Sequence, residues 1–204
     1  MISIQPKNNS ERENYKILTG TIIPRPIAFV TTISDEGVVN GAPFSYFNIV
    51  SSNPPLVSVA IQRANGNLKD TARNIYNNGE FVVHIVDQNN VKQVNETAAS
   101  LPYNESELDI ANLTQVPSDM INVPGVKESK VRFECKLVQA LPLLNEENPG
   151  SDLFIGEVVL FHIDESIYDQ DKRYIDERSL DAVSRLAGQN YATLGDIFSI
   201  KRPK

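Results

Sequence analysis

The chain predicts a mostly β fold, an antiparallel barrel of about six strands with short helices around it. Three observations carry this expectation. Short β-branched or alternating runs recur along the 204 residues, separated by glycine, proline and asparagine turn signals. No regular long helices stand between the runs, as a parallel βαβ sheet would need. No GxGxxG follows the first run, which argues against a doubly wound dinucleotide-binding sheet. With no linker, repeat or low-complexity tract, residues 1–204 read as a single domain.

The polar start, with Pro6 and then SERENYKIL, reads as an exposed arm entering a short helix that Gly20 ends. IAFVTTI (27–33) is a strand by its β-branched content, and Ser34-Asp35-Glu36-Gly37 supplies a turn into Val38 and Val39. Asn40 to Pro55, NGAPFSYFNIVSSNPP, comes next. Proline fixes φ and lacks a donor, so this stretch is not a central strand throughout. Phe44, Tyr46 and Phe47 alternate with short polar groups. Such a segment is either a wall for a flat heteroaromatic ligand or a loop whose rings plug the core.

LVSVAIQ (56–62) is a second clear strand. Asp70 to Asn78 has Ala72, Ile75 and Tyr76 at helical spacing, with Gly79 at the stop position. EFVVHIV (80–86) is nearly all apolar, as in a strand covered on both faces. QNNVKQVNETAASL makes an amphipathic helix through Val91, Val94 and Ala98, and Asn104 with Glu107 resembles a capping pair for ESELDIAN. KVRFECKLVQAL alternates, with Val131, Phe133, Cys135 and Leu137 on one face and Arg132, Glu134 and Lys136 on the other, a half-buried antiparallel strand. NEENPGSD reads as a loop, and LFIGEVVLFHI (153–163) as a further strand with Gly156 at a bulge. The rest is polar and helical or irregular up to the closing SRLAGQNYATLGDIFSIKRP.

A formal charge of -7 argues against a general nucleic-acid binder, and no Lys/Arg run suits an anionic membrane. Cys135 is the only cysteine, so there is no disulfide framework and no cysteine-based zinc site. The start has no apolar signal region, and no apolar run approaches the roughly 18 residues of a membrane span. A soluble, reducing, cytoplasmic setting is the expectation.

Lys69-Asp70-Thr71 falls where a helix begins, and free N–H groups with a lysine and a hydroxyl make a phosphate cradle, Asp70 serving as N-cap. The alternative is a capped surface helix with a solvated lysine. Arg25 stands between two prolines, which suits either a preordered anion contact or simply a rigid turn. His84 and His162 fall in strands and read as hydrogen-bonded core, so no metal site is expected. The acidic runs (Glu105/Glu107/Asp109, Glu146-Glu147, Asp169/Asp171) read as solvated surface. With no GxSxG elbow or Cys/His signature, catalysis here would need a cofactor.

Taken in order, PRPIAFVTT, NGAPFSYFNIVSSNPP, KDTARNI, EFVVHIV, VNETAASLPYNESEL, VRFECKLVQALPL, FIGEVVLFHID and the closing SRLAGQNYATLGDIFSIKRP resemble the flavin reductase-like family of FMN-binding split barrels. Within it they are most similar to the subgroup of nitrilotriacetate monooxygenase component B, a flavin reductase. The resemblance implies a six-stranded antiparallel Greek-key split barrel that forms a homodimer and holds FMN near the subunit interface. It implies cofactor contacts from Arg25, Pro26, Thr31 and Thr32, from Ala42, Pro43, Phe44, Ser45 and Asn48, from Ser51 and Ser52, and, at the phosphate, from Lys69 and Thr71. Arg185 and Tyr191 would cover the flavin or reach the partner subunit.

The activity implied is NAD(P)H:flavin oxidoreduction, with NADH or NADPH as cosubstrate, no obligatory catalytic side chain, and a monooxygenase or other electron acceptor downstream. A non-enzymatic electron carrier similar to flavoredoxin is the alternative, and a split barrel binding pyridoxal phosphate a third. Two departures stand out. Gly156-Glu157-Val158 replaces the Gly-Asp-His that many short-chain flavin reductases use toward nicotinamide, and Ala187 stands where a second glycine is expected.

Overall fold

One seven-stranded antiparallel sheet organises the molecule. The computed structural model describes residues 1–144 and 149–203, so Glu146-Glu147 and the first half of NEENPGSD lie outside the described residues. The strands are β1 Ala28–Ile33, β2 Val39–Phe44, β3 Phe47–Ser52, β4 Pro55–Gln62, β5 Glu80–Ile85, β6 Val131–Leu144 and β7 Pro149–Ile163. They are hydrogen-bonded in the order β2-β1-β5-β6-β7-β4-β3.

That order makes β2 and β3 the two edges, although only Ser45 and Tyr46 separate them in sequence. Neighbouring strands lie about 4.8 Å apart, so two residues cannot cross a flat sheet of this width. The sheet therefore curls until its edges meet. Ala60 N–H donates to the Tyr46 carbonyl at 2.8 Å, extending the β3–β4 pairing up to the seam, but β2 and β3 form no ladder with each other. The result is a split barrel, as the sequence predicts. The main sheet has seven strands because Asn40 to Pro55 folds mostly as two edge strands and not as a loop. Pro43 is tolerated because an edge strand has one side free of ladder bonds, and Pro55 because it is the first residue of β4.

The barrel interior is filled by Val30, Phe44, Val59, Ile61, Phe81 and Phe154. A second cluster outside β1 joins Phe29, Val86, Val94 and Leu108. β5 is covered on both faces, with Phe81 to His84 all buried. On β6 the expected alternation fails at Glu134, which is fully buried. Both its oxygens are occupied, by Asp119 N–H at 2.8 Å, Met120 N–H at 2.7 Å and His162 Nε2 at 2.6 Å. The β6–β7 register shifts at Gly156, and a methyl placed there would collide with the Phe81 ring. Residues 149–152, read as loop, belong to β7.

The helices are α1 Glu11–Thr21, α2 Asp70–Asn78, α3 Val91–Glu96, α4 Glu107–Ile110 and α5 Glu177–Leu180. Ser10 and Glu13 form a capping box that starts α1, which runs through Gly20 instead of ending there. α3 stops before Ala98. α4 has Ser106 at its N-cap, and Asn104 plays no capping part. After Asp164 the chain forms short two-residue ribbons, one of which pairs Arg25–Pro26 with Ser184–Arg185 and then Tyr191–Ala192. No described helix is long and apolar enough to cross a membrane.

Candidate functional site

α2 begins without a side-chain cap. Lys69 occupies the N-cap position with extended backbone and makes no capping bond. Asp70, expected to cap, is instead paired with Arg73 at 2.8 Å. A nine-residue helix thus presents free N–H groups and the positive end of its dipole to whatever lies before it. What lies there is a cavity of about 250 Å³, walled by Asn40, Ala42, Pro43 and Phe44 of β2, by Lys69 and Thr71, and by the Thr97 to Leu101 segment that follows α3.

Buried polar groups hold this wall in place. Thr71 Oγ1 donates to Asn40 Oδ1 at 2.7 Å, and Asn40 Nδ2 donates to Glu107 Oε2 at 2.9 Å. Gly41 N–H donates to the same carboxylate oxygen at 3.2 Å. Asn74 Nδ2 donates to Thr32 Oγ1 at 3.0 Å, and Tyr103 donates its hydroxyl to Asn74 Oδ1 at 3.1 Å. Glu107 is only 6 % exposed. Burial pushes its carboxyl above the usual carboxylate range, against the opposing bonds from Gly41 and Asn40.

The loop carrying Lys69 is anchored at its start. Arg63 donates Nε and Nη2 to the two oxygens of Asp152, both at 2.8 Å, and Tyr76 donates its hydroxyl to the same carboxylate at 2.9 Å. Burial and this carboxylate push the Tyr76 hydroxyl up to about 12. The loop then reverses at Asn65 and Gly66, both with positive φ.

Pro43, Phe44 and Ala98 also border a second cavity of about 170 Å³, an apolar slot lined further by Ile27, Val86, Val91 and Val94, with Ser45 at its rim. Val91, Asn95, Arg185 and Tyr191 connect the slot to an open outer lobe that also holds Lys92, Glu96 and Gln189. The three spaces form one groove: Lys69 and the free helix start stand at the α2 end beside Asp70 and Glu107, the middle is apolar, and Arg185 and Lys92 stand with Glu96 at the outer lobe.

Of the residues expected at a cofactor, the groove brings together Ala42, Pro43, Phe44, Ser45, Lys69 and Thr71, with Arg185 and Tyr191 at its far end. Lys69 Nζ stands 5.9 Å from the centre of the Phe44 ring. Thr31 and Thr32 are fully buried behind the wall; Thr31 donates its hydroxyl to the Pro124 carbonyl at 2.7 Å. Arg25 does not line the α2 cavity, but its Nε donates to Ser45 Oγ of the slot at 3.5 Å. Its Nη1 donates to the Thr19 and Ile22 carbonyls at 2.8 and 2.6 Å, and its Nη2 to the Leu186 carbonyl at 2.9 Å. The stiff Pro24-Arg25-Pro26 turn thus ties the end of α1 to the closing segment, and Pro26 pairs with Ser184. Asn48, Ser51 and Ser52 lie on the β3 edge and line none of the three spaces.

Sequence reasoning missed Asn40, Asn95, Ala98 and Glu107. Asn40 opens the motif already singled out, and Glu107 was read as solvated surface. His84 is a core residue as expected, its ring nitrogens bonded to the Phe29 carbonyl at 2.9 Å and the Val126 N–H at 3.0 Å. Among the described residues Asp119, Glu134 and His162 approach within 4.8 Å, but the Glu134 oxygens are already engaged, as described above.

Residues 19–179 match the family model described as flavin reductase like domain. The chain is 52% identical over 204 residues to the uncharacterised protein YwrF of Bacillus subtilis, covering 100% of both. Among solved structures it is similar to nitrilotriacetate monooxygenase component B from Bacillus cereus, with 55% identity, a TM-score of 0.95 and 98% of each chain covered. It is also similar to the 2-nitrobenzoate 2-nitroreductase NbaA of Pseudomonas fluorescens, with 28% identity and a TM-score of 0.88, covering 99% of this chain and 96% of that one.

Proposed function

The chain belongs to the flavin reductase-like domain family, and within it we propose an FMN-binding NAD(P)H:flavin oxidoreductase. The observation that carries this reading is the uncapped start of α2, with Lys69 beside it, opening onto a cavity that shares its Pro43–Phe44 wall with an apolar slot. The donor set fits FMN. Free N–H groups and an ammonium suit a phosphate near two negative charges, and the Pro43–Phe44 wall with Val91 and Val94 suits a flat ring.

Lys69 and the first turn of α2 would hold the phosphate, with Thr71 shaping the site through Asn40. Ala42, Pro43, Phe44 and Ser45 would border the ring system and exclude water from one side. Thr31 and Thr32 would support this wall from behind, and Arg25 would fix the closing segment; neither role requires contact with the cofactor. When bound, FMN supplies a ring that takes up hydride from a reduced nicotinamide. No side-chain acid or base is obligatory for that transfer, and no catalytic residue is assigned.

The whole chain would act as one domain in the cytoplasm, pairing with a second copy. β3 offers an open edge bearing exposed Ile49 and Val50, and α1 with the residues after it exposes Leu18, Ile22 and Ile23. Apolar edges of this kind are normally covered. Likeness to a monooxygenase component supports a downstream role in which reduced flavin is passed to a separate monooxygenase. Anaerobic titration of the FMN-loaded protein with NADH and then NADPH tests the reading by absorbance. Rapid bleaching is expected; a flavin that stays oxidised with both donors would make the protein an electron carrier instead.

A further inference from the structure

We propose that the outer lobe of the groove binds the pyrophosphate of a nicotinamide dinucleotide through Arg185 and Lys92, and that Glu96 on the same lobe makes NADH the preferred donor. This assignment rests on FMN occupying the α2 end of the groove. The groove has a cationic side chain at each end, Lys69 at α2 and Arg185 with Lys92 at the outer lobe, and FMN has only one phosphate. Lys69 and the helix start serve one end, which leaves the positive charge of the outer lobe without a ligand.

Arg185 is held ready for an anion. Its guanidinium lies 4.4 Å over the Tyr191 ring, and Tyr191 is itself fixed by donating its hydroxyl to Asn95 Oδ1 at 2.7 Å. Of the five donors an arginine carries, one is used on the Gly188 carbonyl at 2.6 Å. The hairpin bearing it is pinned by the Arg25 bond to the Leu186 carbonyl and by pairing with Arg25–Pro26. A preordered fork loses little freedom on binding a phosphate, which is where arginine outperforms lysine.

Lys92 and Glu96 stand four residues apart on α3 and both border the lobe, as helical spacing allows. The lobe therefore holds two cations and one acid. A carboxylate accepts a ribose hydroxyl well and repels a 2′-phosphate, which favours NADH over NADPH. The lobe, of about 780 Å³, shares Val91, Asn95, Arg185 and Tyr191 with the apolar slot. A ligand anchored at Arg185 is thus continuous with the place where a flavin ring would lie.

The test is calorimetric titration of the FMN-loaded protein with NAD⁺, a readout without turnover, alongside FMN affinity measured by fluorescence. Arg185→Ala and Lys92→Ala should each weaken NAD⁺ binding by about tenfold or more, the scale of one charge-assisted hydrogen bond, while FMN affinity stays unchanged. Arg185→Lys should recover part of the loss, and Glu96→Gln should narrow the preference for NAD⁺ over NADP⁺. Unchanged NAD⁺ affinity in both charge-removing variants would overturn the assignment. Parallel loss of FMN would also overturn it by putting Arg185 on the flavin, and a wild-type preference for NADP⁺ would remove Glu96 from it. A wild type that binds no FMN at all would instead overturn the proposed function.

Discussion

Thr71 donates its hydroxyl to Asn40 Oδ1 at 2.7 Å, fastening the first turn of α2 to the β2 edge of the barrel. This bond decides where the free helix N–H groups point. Asn40 also holds Glu107 through its amide nitrogen, so one side chain organises both polar sides of the proposed phosphate site.

Asn40→Ala should therefore cost stability and binding together. It leaves the Thr71 hydroxyl buried without its partner and the Glu107 carboxylate with only the Gly41 N–H, a loss on the order of 3 kcal/mol. Urea unfolding measures it. A cost below about 1 kcal/mol, the net worth of one ordinary hydrogen bond, would mean that water or rearrangement replaces the network.

Lys69→Ala tests the phosphate contact separately from the scaffold. Lys69 is exposed and makes no capping bond, so folding stability should hardly change. FMN affinity should fall by about 1–3 kcal/mol, and riboflavin affinity should stay the same. Equal losses for both ligands would place Lys69 on the ring or the ribityl chain.

His84 gives the fold an acid-sensitive point. The Val126 N–H can only donate and the Phe29 carbonyl can only accept, so Nε2 accepts and Nδ1 carries the proton of a neutral ring. Burial pulls the imidazole down to about 3 from 6.5, with the Phe29 carbonyl opposing and Arg132 adding to the shift. The unfolded chain binds the proton more readily, so this contribution is complete above pH 6.5 and is lost as pH falls toward 3. Relative to His84→Gln, the wild type should show an extra loss of stability approaching about 1.4 kcal/mol per pH unit in that window. Parallel pH profiles would contradict the assignment.

The barrel was legible because its strands carry their own patterns: β-branched β1, apolar β5 and alternating β6. The edge strands were not. Pro43, Pro54 and Pro55 read as loop chemistry, and only the structure shows Pro43 on an edge strand, Pro54 in the β3–β4 turn and Pro55 at the first position of β4, where a missing donor costs little. The site was legible wherever helix-start chemistry and apolar walls coincide, at Lys69, Thr71 and Pro43–Phe44. It was not legible where a polar residue's partner is remote in sequence. Arg25 reaches Leu186 across 161 positions, and Glu107 reaches Gly41 across 66. No local pattern marks either contact.

Comparison of FMN with riboflavin in a binding titration of the wild-type protein tests the central claim most directly. The two ligands differ only in the phosphate, and the account places that group at the start of α2. FMN should bind at least about tenfold more tightly, the equivalent of one charge-assisted hydrogen bond, with the difference shrinking in Lys69→Ala. Equal affinities for FMN and riboflavin would contradict a phosphate site at α2.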